Sequence, residues 1–224
     1  MLLEQPAAGL RAAVDAVLLA AAVPARPGDA VLELGCGTGA GFLCLAARVP
    51  GVVVCAVELD AVLLPLARAN AARAGLPADI RQGDMRQPMP PARHAFANPP
   101  FWPAGTASPN PLRRAAAHEG DAGLEDWAAA LARGVERRGS VSLILPAQRF
   151  AAGAAALRNA GCGSLALLPL WPRAGQPAKR VILQGIKGGR GPERVLPGLV
   201  LHEADGAFTP AAEAVLRDAQ ALPM

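Results

Sequence analysis

Between Ala30 and Arg48 the chain reads AVLELGCGTGAGFLCLAAR. A strand-like apolar run closes at Glu33 and Leu34. Glycine then recurs at 35, 37 and 39, and an Ala/Leu-rich helical run follows without a break. A strand that passes through a glycine loop into a helix commits the chain to a βα unit, with a right-handed return to the sheet. The unit repeats. VVVCAVELD reads as a second strand after Pro50-Gly51, AVLLPLARANAARAG as the next helix, closing at Gly75, and residues 79–82 as a short third strand. Residues 94–97 read as a fourth strand that runs into two prolines.

The second half continues the pattern. The sequence predicts a helix over residues 124–137, a fully buried parallel-type strand at SVSLILP, and a helix over 148–159. Two strands follow, near 165–170 and 180–186, separated only by residues 171–179. That segment is rich in Pro, Gly and basic residues and too short for a helical crossover, so the two strands read as an antiparallel hairpin at the sheet edge. A short apolar piece at 199–201 and a helix after Thr209-Pro210 complete the chain. Strands alternating with helices predict one doubly wound α/β domain over residues 1–224, preceded by a helix at about 8–22.

Composition narrows the class. Of 224 residues 52% are hydrophobic, enough for a sizeable core, and neither repeats nor charge blocks interrupt it. The formal net charge of +4 comes from scattered Arg clusters, which suit a nucleic-acid partner and a solvated basic surface equally well. The four cysteines, Cys36, Cys44, Cys55 and Cys162, stand at no metal-ligand spacing and read as small buried thiols of a reducing compartment. At the N-terminus Glu4 and Asp15 break any signal-peptide pattern, and the apolar run 16–24 is too short to span a membrane. The expectation is a cytoplasmic protein with neither a membrane partner nor a metal.

In an open α/β sheet, ligands bind beyond the carboxyl ends of the strands. Gly35, Gly37 and Gly39 stand there, although Gly35, Gly37 and Ala40 also satisfy the dinucleotide pattern G-x-G-x-x-G/A, which is weak by itself. Glu33 distinguishes the two ligands. A pyrophosphate would meet its carboxylate unfavourably, whereas a cation would be drawn to it. S-adenosylmethionine carries a sulfonium and an ammonium and no phosphate. Glu58 closes the second strand, where a carboxylate can accept from ribose hydroxyls, and Asp84 closes the third, where it can accept from an adenine amino group. A single strand-end acid is commonly a cap. Three of them around one glycine loop point to a cofactor site.

The fourth strand ends in HAFANPPFWPAG, an awkward finish for a core element, since prolines donate no backbone hydrogen bond. The set ELGCGTG, VELD, QGDM and NPPF resembles the class I S-adenosylmethionine-dependent methyltransferases that act on planar amino groups. GLRAAVDAVLLAAAV, NPPFWPAGTASPNPLRRAAAHEG and PAKRVILQGIKG are similar, within that class, to the tRNA(valine) adenine-37 N6-methyltransferase family. The resemblance covers nearly the whole chain and implies a Rossmann-like sheet of seven strands.

It also implies a chemistry. An exocyclic amino nitrogen is a poor nucleophile, because its lone pair is delocalised into the ring. The side-chain oxygen of Asn98 and the backbone carbonyl of Pro99 would accept its two N–H bonds and aim the lone pair at the methyl group. Pro-Pro holds that carbonyl in place beforehand, and Phe101 would stack on the extruded base. No side-chain base is needed. The chain contains no Tyr, and Phe stands where the family motif has Tyr, so this residue stacks without donating a hydrogen bond.

The sequence thus predicts S-adenosylmethionine-dependent methylation of adenine N6 in RNA, and within RNA in tRNA. The alternatives are N5-glutamine methylation of a protein, DNA adenine methylation, for which a target-recognition domain has little room, and a non-catalytic RNA-binding module that retains the fold. A dinucleotide oxidoreductase leaves Asn98-Pro99-Pro100 unexplained. Weaker signals are Trp102 as a second aromatic wall, Arg113, Arg114 and His118 as phosphate contacts, and Arg173, Lys179 and Arg180 as a basic patch. Arg11 and Asp15 match positions near the family's N-terminal motif. His94 and His202 show no constellation with other catalytic groups.

Overall fold

The structure is a computed structural model that describes residues 2–6, 14–100 and 122–224. The elements, in chain order, begin with α1 (Val14–Ala22), β1 (Ala30–Leu34), α2 (Ala40–Arg48), β2 (Val53–Glu58) and α3 (Leu63–Arg73). β3 (Ala78–Gln82), β4 (Ala92–Ala97), α4 (Leu124–Arg133), β5 (Val135–Pro146) and α5 (Phe150–Asn159) follow. β6 (Cys162–Trp171), β7 (Arg180–Lys187), β8 (Arg194–Val195), β9 (Leu199–Val200) and α6 (Pro210–Leu216) complete them. The strands form one sheet in the order β3-β2-β1-β4-β5-β7-β6-β8, with β9 also paired to β6. β1 to β5 are mutually parallel, and β7 runs antiparallel between β5 and β6. The doubly wound expectation holds, with apolar clusters on both faces of the sheet.

Four of the five residues of β1 are buried, as a central strand covered on both faces requires. α1 has no acid-rich outer face and buries Leu18 to Ala22 continuously. Gln184 of β7 ties it to the sheet by donating to Ala22 O (3.1 Å) and Ser142 Oγ (3.0 Å). At the other end of the chain Thr209 caps α6, accepting from Ala212 N at 3.1 Å. All four cysteines are free thiols, three buried and Cys44 half-buried.

Three expectations are corrected. The sheet has nine strands among the described residues, not seven. The extra pair, β8 and β9, lies parallel against β6, with Leu196 N and Leu201 N donating to Leu167 O and Trp171 O, both at 2.8 Å. The β6–β7 hairpin is therefore not the bare edge, because these two-residue strands cover the open ladder of β6. A two-residue strand between glycines and prolines has no alternation to read. The helix expected over 124–137 ends at Arg133, and β5 starts at once with buried Val135. Gly134 makes that corner: a Cβ there would collide with the Leu32 side chain, and its carbonyl accepts from Ala92 N at 2.8 Å.

Candidate active site

The glycine loop is held from the side by β2. Gly35 N and Cys36 N both donate to Val57 O, at 2.9 and 3.1 Å. Gly35 has φ 66°, and a Cβ added there would stand 2.8 Å from the Trp127 ring, so both conformation and space require glycine. Gly37 N donates to Glu58 Oε2 (2.6 Å), and Asp60 N donates to Glu58 Oε1 (2.9 Å). Glu58 is 2% exposed, and burial raises its pKa against these backbone bonds.

Around this acid, at the carboxyl ends of β1, β2 and β3, lies an open cleft of about 430 Å³. Its walls include Gly35, Glu58, Leu59, Asp84, Arg86 and Trp127. Asp84 accepts from the Arg86 side chain at 2.9 and 3.0 Å, which holds its carboxyl at about 2, so it is ionised throughout the working range. Among the described residues Arg86 is the cation of the cleft wall, and this pairing occupies it.

Glu33 lies one layer below. Its Oε2 accepts from Phe42 N (2.7 Å) at the start of α2, and a Cβ on Gly41 would meet its Oε1. Burial lifts its pKa to about 8, with the nearby charge of Glu58 adding to the rise. Gly39 opens α2 beside the Phe42 ring and likewise lies behind the cleft wall. The structure therefore brings Gly35, Gly37, Glu58 and Asp84 together, with Glu33 and Gly39 as the layer behind them.

β4 supplies the adjoining edge. Ala97 pairs with Leu34, so Asn98 stands level with Gly35. Asn98 is exposed, and its side chain makes no hydrogen bond among the described residues, while Pro99 is buried. Phe101, Trp102, Arg113, Arg114, His118 and Arg11 lie outside the described residues. Asp15 does not reach the cleft wall. It accepts from Arg180 Nε at 3.0 Å and ties α1 to the start of β7.

Sequence reasoning missed Trp127, Leu59 and Arg86. Trp127 shares the apolar face of α4 with Leu124, Ala128 and Leu131, so its spacing reads as core and nothing local says that it reaches Gly35. It also missed a hydrogen-bond network around His94 at the opposite end of the sheet. His94 Nδ1 lies 2.8 Å from Ser140 Oγ, and Nε2 lies 3.2 Å from Asp29 Oδ2. Burial lowers the His94 pKa, against the pull of Asp29. No cluster of three or more His, Cys, Asp or Glu with metal-holding geometry exists among the described residues, and no helix there is long and apolar enough to cross a membrane.

Residues 31–98 match the family described as "Methyltransferase domain". A predicted O-methyltransferase of Agrobacterium tumefaciens has a similar structure, with a TM-score of 0.75 and 26% identity over 93% of this chain and 98% of that one. The sheet order, with its single antiparallel β7, and the acid-lined cleft beside the glycine loop define a class I methyltransferase. A tRNA1(Val) (adenine(37)-N6)-methyltransferase of Aeromonas hydrophila is 30% identical over 205 residues, 89% of this chain and 86% of its own length. The protein of that name from Shewanella amazonensis is 28% identical over 216 residues, 94% of this chain and 91% of its own. The chain belongs to the tRNA1(Val) (adenine(37)-N6)-methyltransferase family.

Proposed function

We propose that this protein transfers a methyl group from S-adenosylmethionine to the exocyclic N6 of an adenine in tRNA, and that it does so in the cytoplasm. The cleft suits this cofactor on its own terms. Two buried carboxylates, Glu33 and Glu58, lie at the glycine loop, and the cation on the wall is engaged by Asp84. Such a site disfavours a phosphate and draws a cation. Bound there, S-adenosylmethionine supplies an electrophilic methyl group on a positively charged sulfur.

The protein's own groups do the positioning. Glu58 has lone pairs beyond those taken by Gly37 N and Asp60 N, and these accept from ribose hydroxyls. Asp84, kept ionised by Arg86, accepts from an amino group, and exposed Leu59 offers apolar surface to a base. Glu33, with a pKa near 8 in the cofactor-free protein, ionises more readily once a cation is bound above it and then acts through its charge from beneath the loop. On the substrate side, Asn98 Oδ1 and the Pro99 carbonyl accept the two N–H bonds of the adenine amino group, turning its lone pair toward the cofactor. Phe101 stacks on the base. After attack the nitrogen is an acidic ammonium, and it loses its proton to water.

The observation that carries this reading is the exposed Asn98 at the end of β4, without a partner among the described residues, level with Gly35 and ahead of a buried Pro99. The test offers methyl-labelled S-adenosylmethionine and unmodified tRNA, ribosomal RNA, duplex DNA or protein extract to the full chain and to Asn98→Ala. The expected product is N6-methyladenosine in tRNA, with the Asn98→Ala rate down about a hundredfold or more and cofactor binding retained. Label on a protein amide or on a hydroxyl oxygen would overturn the assignment.

A further inference from the structure

Beyond β4 the carboxyl edge of the sheet carries a surface that methyl transfer itself does not use. β5 leaves the sheet at Pro146, and a turn over Ala147–Arg149 leads to Phe150 at the head of α5. β7 enters at Arg180, paired with Pro146, and Ala147 N donates to Lys179 O at 3.1 Å. Arg149, Phe150 and Lys179 thus come from two segments that lie against each other. Phe150 is 50% exposed, an unusual state for a side chain that gains so much from burial. Neither Arg149 nor Lys179 makes a side-chain hydrogen bond or ion pair among the described residues.

The charge is of one sign. The sequence has no acid between Pro146 and Asn159, and none between Trp171 and Lys187. Asp15, a carboxylate beside Arg180 at this edge, is engaged by it. The surface lies at the same end of the sheet as the methyl-transfer site: β4 and β5 are parallel neighbours, with Ala97, the residue before Asn98, opposite Leu143, three residues before Pro146. An exposed aromatic ring flanked by free cations suits an unpaired nucleotide, whose base stacks on the ring while its phosphates meet the cations.

We propose that Phe150, with Arg149 and Lys179, is a stacking platform that holds an unpaired nucleotide of the RNA substrate beside the target adenine. This rests on the RNA reading above. It adds a substrate-positioning surface on the antiparallel half of the sheet, apart from the cofactor cleft.

The test uses full-length wild type, Phe150→Ala, Phe150→Leu, Phe150→Trp and the double variant Arg149→Ala/Lys179→Ala. Steady-state methylation of unmodified tRNA, cofactor titration and tRNA binding at several salt concentrations are measured for each. Phe150→Ala is expected to raise the KM for tRNA about fivefold or more, with kcat and cofactor affinity little changed. Phe150→Trp should restore KM, whereas Phe150→Leu should not. The double variant should flatten the salt dependence of tRNA binding by about one to two counterions. An unchanged KM in Phe150→Ala, or full rescue by Leu, would overturn the platform while leaving tRNA methylation standing. A wild type that labels no RNA, with Phe150→Ala weakening a protein substrate, would overturn both the RNA reading and the occupant named here.

Discussion

The two ends of the same central strands carry opposite kinds of polar site. At the amino ends Asp29, His94 and Ser140 are the residue types from which hydrolases assemble a nucleophile. Here Ser140 is 2% exposed, His94 is buried, and the imidazole has a partner on each nitrogen. At the carboxyl ends the groups look less reactive by type, an Asn, a Pro carbonyl and three acids. Yet, among the described residues, Glu58 is held by backbone N–H groups and borders a cleft, and the Asn98 side chain has no partner. Hydrogen-bonding capacity left unused and facing open space marks the functional end; mutual satisfaction in the core marks the structural one.

That contrast can be broken. After Asn98→Ala, the largest expected effect is that of Glu58→Ala, which removes charged acceptors from the cleft and should weaken S-adenosylmethionine binding about a hundredfold. Titration calorimetry reads this directly, and an unchanged Kd would move the cofactor elsewhere.

Next comes Glu33, whose cofactor-free pKa near 8 stands above its ordinary 4.5. The folded protein then keeps a proton that the unfolded chain has lost. Stability accordingly falls as pH rises from about 4.5 to 8 and levels above it. Cation binding favours the ionised form, so cofactor affinity should climb as pH rises toward 8, by at most about tenfold per unit. Glu33→Gln should flatten both profiles. Persistence of either slope in that variant would assign it to another group.

The smallest effect on activity is expected from His94→Ala. Losing a buried, doubly bonded imidazole should cost about 1–3 kcal/mol of stability, seen as a lower urea midpoint. The kcat/KM of the protein that remains folded should stay within about twofold. A larger activity loss would mean that the two ends are coupled.

Much of the catalytic edge was legible in the chain because its signals are local. The strand-loop-helix of Ala30 to Arg48, the acids closing β2 and β3, and the Asn before two prolines each depend on neighbours a few residues away. The corrections all concern distant partners. β8 and β9 exist because β6 offers them a ladder, and α4 stops at Gly134 because Leu32 and Ala92 meet it there. Trp127 reads as core on its helix until the sheet brings Gly35 against it.

By itself, then, the sequence determined the βα repeat, the glycine loop and the acid and amide types at the strand ends, since hydrophobic period and turn chemistry act over a few residues. Only the tertiary structure decided which way each side chain was spent. It turned Glu33 beneath the loop and Glu58 toward the cleft, joined His94 to Ser140, and left Phe150 exposed. These outcomes depend on burial and on partners far away in the chain, which local pattern does not encode.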